Sequence, residues 1–395
     1  MDLETAKQRV RSEVERLDGR LQEIAAQVHA RPELLYEEHF AAGLLASELE
    51  AAGLEVERGA YGVPTAFAAR AGNGHGPLVA VLCEYDALPG IGHGCGHNLI
   101  AAAGLGAGLA AAAVAAEAGG RLVVLGTPAE EGGGGKVKLL EAGAFEGVDA
   151  AMMVHPAAVD VSEADVIAIA SWRVDYRGVG AHAAASPEQG RNALDAAVLG
   201  YNAVAALRQH IGPRERVHGV FTKAGDKPNI VPSHTVAEWY VRSPTLAGLA
   251  ALKGRVRACL QAGAVAAGCE IEITPTCPEY SELRTNRPMV EMYQANSESL
   301  GRPVPDPGPG ADRRVTVSTD MGNVSLAVPS VHPLVAVAPP GVALHTEEFA
   351  RWAGATPEAR QAVLDGAAAM AMTAVDVWVR PGAAADIRAA FAPGP

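Results

Sequence analysis

From Leu99 to Ala116 the chain runs 18 residues without a charge, built mostly from alanine and glycine. A segment that is helical and apolar on every side belongs either in a bilayer or in the middle of a large α/β core. This one lacks the density of Leu, Ile and Phe that drives insertion. It also follows directly on a run of polar, potentially metal-binding residues. A buried core helix is therefore the expectation. With 395 residues, nearly half of them apolar, the chain can enclose such a helix without covalent staples.

Charge narrows the function. Acidic residues exceed basic ones by 45 to 32, a formal net charge of -13. A nucleic-acid surface needs a basic patch, and anionic lipid attracts basic segments, so neither nucleic acid nor membrane is expected as a partner. A small anionic substrate is not excluded, because a few local Arg or His residues override the global field. The five cysteines, Cys83, Cys95, Cys259, Cys269 and Cys277, are an odd and sparse set. The first thirty residues read as an amphipathic charged helix without the apolar run of a secretory signal. Reduced thiols in the cytoplasm are the economical expectation.

The N-terminal third alternates helix and strand. Leu21 to Ala30 and Phe40 to Ala52 read as helices, the second closed by Gly53. Val79 to Cys83, Leu122 to Leu125 and Ala151 to Val154 are apolar runs suited to buried strands of a mixed or parallel sheet. Polar residues follow the C-terminal end of each run, where open α/β sheets place their ligands. From about 170 the pattern changes to strand Trp172–Arg177, helix Asn192–His210, strands Gly219–Lys223 and Val236–Arg242, helix Leu246–Ala267 and strand Glu270–Thr274. This β-α-β-β-α-β order is ferredoxin-like. Residues 170–283 therefore read as an insertion in a discontinuous domain made of 1–169 and 284–395. The returning segment carries helices, a Pro/Gly-rich loop around Pro303 to Gly310 and a strand at Leu334–Ala338.

Chemistry concentrates in a few phrases. In Gly94-Cys95-Gly96-His97, thiolate and imidazole are both good ligands for zinc and related metals, and the glycines permit a tight loop. His93, beside it, is left out as a ligand and expected to be supporting or exposed. Glu130 and Glu131 follow the strand at Leu122, so one carboxylate can bind metal while its neighbour handles a proton. His155 ends the third apolar run, and His345 sits in a late loop. Gly132-Gly133-Gly134-Gly135-Lys136 fails as a phosphate loop, since Glu130 and Val137 occupy positions that need Gly and Ser or Thr. Cys95 also stands where a dinucleotide fingerprint starting at Gly90 needs its third Gly. Cys95, Glu131 and three histidines are about the complement that two divalent cations share.

Taken together, Asp86-Ala87-Leu88-Pro89, Gly94-Cys95-Gly96-His97-Asn98, Pro128-Ala129-Glu130-Glu131, His155-Pro156 and Leu344-His345-Thr346 resemble the aminoacylase and carboxypeptidase G type of co-catalytic metallopeptidases. Within that family they resemble the branch with Cys in the metal centre. The phrases Gly126 to Gly133 and Ser318 to Ser325 are similar to the p-aminobenzoyl-glutamate hydrolases and to dipeptidases acting on β-alanyl-lysine type substrates. Asn98 stands where most auxin-conjugate hydrolases have Asp.

The resemblance implies a mixed-sheet, three-layer α/β catalytic domain of the zinc-peptidase kind, with an inserted ferredoxin-like lid and dimerisation domain. It implies two divalent metal ions per subunit, zinc or manganese, with cobalt tolerated. Cys95 would bridge them, His97, Glu131, His155 and His345 would complete the shells, and Asp86 would support the site from behind. Glu130 would act as general base and acid. His182, in Gly180-Ala181-His182-Ala183, would polarise the scissile carbonyl, often in the site of the other copy. Asn229 and Arg242 would grip the substrate carboxylate, for which Arg offers a rigid fork. The expected activity is hydrolysis of the amide bond of an N-acyl- or aminoacyl-amino acid, in a homodimer joined through the lid. The alternative is a metal-binding scaffold or regulatory paralogue that no longer hydrolyses.

Overall fold

The computed structural model describes residues 1–72, 74–306 and 316–392. In chain order, the first segment contributes helices α1 (Leu3–His29) and α2 (His39–Ala51), strands β1 (Glu55–Arg58), β2 (Phe67–Ala71) and β3 (Leu78–Glu84), and helix α3 (His97–Ala115). Strand β4 (Arg121–Thr127), helix α4 (Gly135–Glu141) and strands β5 (Ala150–Met152) and β6 (His155–Ala157) follow. The middle of the chain forms β7 (Ala168–Arg177), α5 (Ala193–Leu207), β8 (Arg216–Lys223), β9 (His234–Ser243), α6 (Leu246–Ala267) and β10 (Glu270–Pro275). The return adds α7 (Arg287–Ser299), α8 (Met321–Ala327), β11 (Ser330–Val331), β12 (Leu334–Ala336), α9 (Glu347–Trp352), α10 (Pro357–Val379) and α11 (Ala383–Phe391).

Contacts divide the chain into two compact units, Met1–Asp165 with Leu283–Pro395, and Val166–Glu282. The insertion thus begins at Val166 rather than 170, because Ala168, Ile169 and Ala170 already pair with Ser243, Arg242 and Val241 on β9.

In the first unit a six-stranded sheet runs in the order β1-β2-β4-β3-β5-β11. Its centre is parallel, with β3 between β4 and β5, while β1 and β2 add an antiparallel margin. Side chains alternate across it. Val79, Val81 and Cys83 of β3 enter one core with α1, α3 and α10, whereas Ala80 and Leu82 enter another with Leu139, Met321 and Val324. Both faces are covered, which is why β3 and β4 read as unbroken apolar runs.

Helix α3 lies in the first core, and its glycines mark where it touches its neighbours. A Cβ on Gly104 would sit 2.6 Å from the Leu82 carbonyl oxygen, and one on Gly106 2.7 Å from Leu21. Helices α3 and α10 are each long and apolar enough to span a bilayer, yet 83% of each apolar window is buried within the fold. The Ala/Gly composition of α3 serves close packing against the sheet.

The second unit is a four-stranded antiparallel sheet, β10-β7-β9-β8, in the ferredoxin-like chain order. Helices α5 and α6 cover one face, packing Trp172, Val174, Tyr176, Trp239 and Val241 into a separate core. The loop expected at Pro303–Gly310 falls partly outside the described residues.

Candidate metal centre and active site

The C-terminal ends of β3, β4 and β5 deliver the polar phrases to one end of the first unit. After β3 the chain passes Asp86 and turns through Gly94, Cys95 and Gly96, whose left-handed φ of 79° starts α3 with His97 as its first residue. After β4, Ala129 takes an unusual φ of 59° just before Glu130 and Glu131. Glu38, fully buried, pins that turn by accepting the Ala129 N–H at 2.9 Å. Burial raises the Glu38 carboxyl to about 7. His345 also has a left-handed φ, 62°, and its N–H donates to the Gly94 carbonyl at 2.9 Å. Non-glycine residues held in this region are strained, and such strain gathers at functional sites.

These loops bring all five expected ligand residues together. The donor atoms of Cys95, His97 and His155 lie within 4.8 Å of one another, as do those of Cys95, Glu131 and His345. Cys95 belongs to both sets, and its Sγ is 3.6 Å from His155 Nε2. His345 Nε2 is 3.3 Å from Glu131 Oε1.

Asp86 ties the sets together. Its Oδ1 accepts from His97 Nδ1 at 3.0 Å and its Oδ2 from the Glu131 N–H at 2.9 Å. That bond fixes the His97 tautomer with Nε2 facing the site, the usual arrangement behind a metal-ligating histidine. His155 is oriented similarly, donating Nδ1–H to the Pro156 carbonyl at 2.7 Å.

The residues fit a metal. His97 Nε2, Glu131 Oε1 and Glu84 Oε1 are buried without any hydrogen-bond partner. Buried polar atoms are almost always paired, so three orphans converging beside a thiol and two imidazoles mark a place for cations. Electrostatics agree. Burial lowers His155 to about 4, leaving a neutral imidazole ready to ligate. Burial and the negative charges of Glu84, Glu131 and Asp320 push Glu130 well above the usual carboxylate range, in the direction a general base needs. Burial, with Glu131 nearby, also pushes the Cys95 thiol up.

Other sequence expectations are placed as follows. His93 is buried rather than exposed; it bonds the Val28 carbonyl at 3.1 Å and stacks on His29. Asn98 donates to the carbonyls of Ala25 (3.3 Å) and Ala353 (2.8 Å), which an ionised Asp could not do. In the second unit, His182 and Asn229 are exposed neighbours on paired loops, joined by the bridge His182↔Ile230 and the bond from the Ala183 N–H to the Asn229 carbonyl. Arg242 is half-buried on β9, with Nε 3.4 Å from His218 Nε2.

Sequence reasoning missed Glu84, Lys136 and Asp320. All three are fully buried, and Lys136 Nζ bridges the two carboxylates. The available signal was proximity in sequence, since Glu84 precedes Asp86 by two residues and both reach the His97 ring. His332, whose ring lies 5.6 Å from that of His155, was also missed.

Comparison with known proteins matches this arrangement. Residues 80–371 fit the profile of Peptidase family M20/M25/M40. The mouse (Mus musculus) Xaa-Arg dipeptidase is 39% identical over 99% of this chain and 93% of its own length. A p-aminobenzoyl-glutamate hydrolase chain of Escherichia coli (strain K12) is 36% identical over 70% of this chain and 62% of its own. Among solved structures, an aminohydrolase of methicillin-resistant Staphylococcus aureus superposes with a TM-score of 0.74 at 20% identity, covering 95% of this chain and 100% of that one. A dinuclear metal-binding M20 peptidase of Bacillus subtilis gives 0.68 at 19% identity, covering 92% and 99%.

Fold and site thus define a metal-dependent amidohydrolase of the dipeptidase type. The chain belongs to Peptidase family M20/M25/M40.

Proposed function

We propose that this enzyme uses two divalent cations to hydrolyse the amide bond of a dipeptide or N-acyl-amino acid with a free carboxylate. The observation that carries this reading is the pair of ligand triads sharing Cys95. Cys95, His97 and His155 would hold one ion, and Cys95, Glu131 and His345 the other. When bound, such ions supply Lewis acidity, which polarises a carbonyl oxygen and makes water easier to deprotonate. Zinc, manganese and cobalt all suit this S/N/O donor set.

Glu130 adjoins the ligand Glu131 and is shielded from bulk solvent. Its raised proton affinity suits it to take a proton from the attacking water and pass it to the departing nitrogen. Asp86 keeps the His97 ring in register throughout. His182 is assigned to the substrate carbonyl, and Asn229 and Arg242 to the substrate carboxylate. Because a relative similar along nearly its whole length is an Xaa-Arg dipeptidase, dipeptides ending in Arg or Lys head the substrate panel, followed by p-aminobenzoyl-glutamate. Mass-spectrometric readout of that panel with metal-replete enzyme is the test. Glu130→Gln should keep its metal and lose about 100- to 10,000-fold in kcat. Near-normal turnover would remove Glu130 from the mechanism, and bound metal without turnover on any substrate would favour a scaffold.

The second unit is proposed to join two copies. Strand β8 is a sheet edge, and its Val220 and Phe221 are exposed together with Val198, Leu199 and Tyr201 of α5. Unprotected edges with apolar side chains invite strand pairing. Val220→Lys with Phe221→Glu should give a monomer by light scattering; an unchanged mass would locate any interface elsewhere. The five free cysteines support the cytoplasm as its location.

A further inference from the structure

We propose that Glu84 is a further metal ligand, a carboxylate facing the ion assigned to Cys95, His97 and His155, and that Lys136 and Asp320 hold it there. This inference rests on the two-metal reading and enlarges its ligand set.

Glu84 ends β3 and has no solvent exposure. Its two oxygens differ. Oε2 accepts from Lys136 Nζ, whereas Oε1 has no hydrogen bond and lies 3.0 Å from His97 Nε2, which also has none. Since His97 gives its Nδ1–H to Asp86, Nε2 is the ring atom left to face Glu84. Two such atoms this close in a dry interior must share something positive, a proton or a cation, and a cation held between them would engage both. Glu84, His97 and Glu130 also form a third triad of donors within 4.8 Å.

Lys136 explains how such a carboxylate is tolerated and aimed. Its Nζ also meets Asp320 Oδ1 at 2.7 Å, and its backbone N–H donates to Asp320 Oδ2 at 2.9 Å. Anchored at both ends, the lysine engages one oxygen of Glu84 and leaves the other pointing at the centre. Two carboxylates against one ammonium leave a net negative charge, favourable for a cation. An extra carboxylate oxygen also shifts a mixed thiolate and imidazole shell towards what manganese or cobalt accept.

The test uses the metal-stripped full-length enzyme, titrated with MnCl2 alone by calorimetry and electron paramagnetic resonance. Cobalt-loaded protein is followed by visible absorption. Wild type should take up about two Mn2+ per chain, the complement of a co-catalytic site. Glu84→Gln should weaken one site by about 10- to 100-fold and leave the other within about threefold. Its cobalt bands should intensify as an oxygen donor is lost and the coordination number falls.

Glu84→Gln keeps the Lys136–Asp320 ion pair and a carbonyl acceptor for Lys136, so it should fold. Should it not, Glu84→Asp, with its carboxylate drawn back by one methylene, carries the same expectation. Unchanged affinities and spectrum in a folded variant would overturn the proposal, as would equal weakening of both sites, the mark of general loosening. A wild type that binds fewer than two Mn2+ would overturn the two-metal reading itself.

Discussion

A buried thiol whose proton is held more tightly than usual has to release it before it can grip a cation. Cys95 is in that position. For His97, burial works against the charged form, but Glu84, Cys95 and Asp86 outweigh it and raise proton affinity. Metal and proton therefore compete for the same atoms, and metal binding expels protons. His155 is different, being already neutral above about pH 4. Apparent metal affinity should fall with falling pH, by about tenfold per pH unit for each proton displaced. Calorimetry in two buffers of different ionisation enthalpy would count those protons. A pH-independent affinity between pH 6 and 9 would mean that Cys95 is not a ligand.

At the level of elements, the site is made by turns that only certain residues tolerate. Gly96 starts α3 in a left-handed conformation, and a Cβ there would meet Pro156 at 2.7 Å, next to His155. Gly96→Ala should cost about 1–3 kcal/mol from strain and overpacking. It should also push the Cys95–His97 loop from the His155 strand, so that metal content per folded chain drops; melting temperature and elemental analysis would check both.

Much of this layer was legible beforehand. The runs at Val79 and Leu122 had to be central strands because nothing in them could face water, and α6 was bounded correctly at Leu246 and Ala267. Edge strand β1 was not, since Glu55–Arg58 carries three charged residues, nor was β2, whose Phe67–Ala71 is mostly alanine, a weak strand former. The residues that the structure groups as candidate donors were readable because Cys-Gly-His and the paired glutamates are short phrases with their own chemistry. Glu84 was hidden. At the end of an apolar strand its partners are Lys136 and His97, which only tertiary folding brings near. The quadruple glycine before that lysine invited a nucleotide reading, whereas the fold uses Lys136 as a buried counter-charge.

For the molecule as a whole, the two units keep separate cores, and every assigned metal ligand lies in the first. Chelation should therefore act on one unit only. Metal at about 100 times its Kd contributes about 2.7 kcal/mol, so stripping it should lower the first unit's transition by on the order of 5 °C. The transition belonging to Val166–Glu282 should stay in place. Differential scanning calorimetry with and without chelator would separate the two, and equal shifts in both would contradict this assignment.

The bond from His345 to Gly94 has a consequence for how the enzyme is made. Its two ends are separated by the whole inserted unit, and His345 is the last of the proposed ligands to leave the ribosome. A nascent chain can present Cys95, His97, Glu131 and His155, yet the Glu131 half stays open until the final stretch emerges. Cargo-ready and hydrolysis-ready are therefore different states of the site, and His345→Ala in the whole chain should take up a first ion without becoming an enzyme.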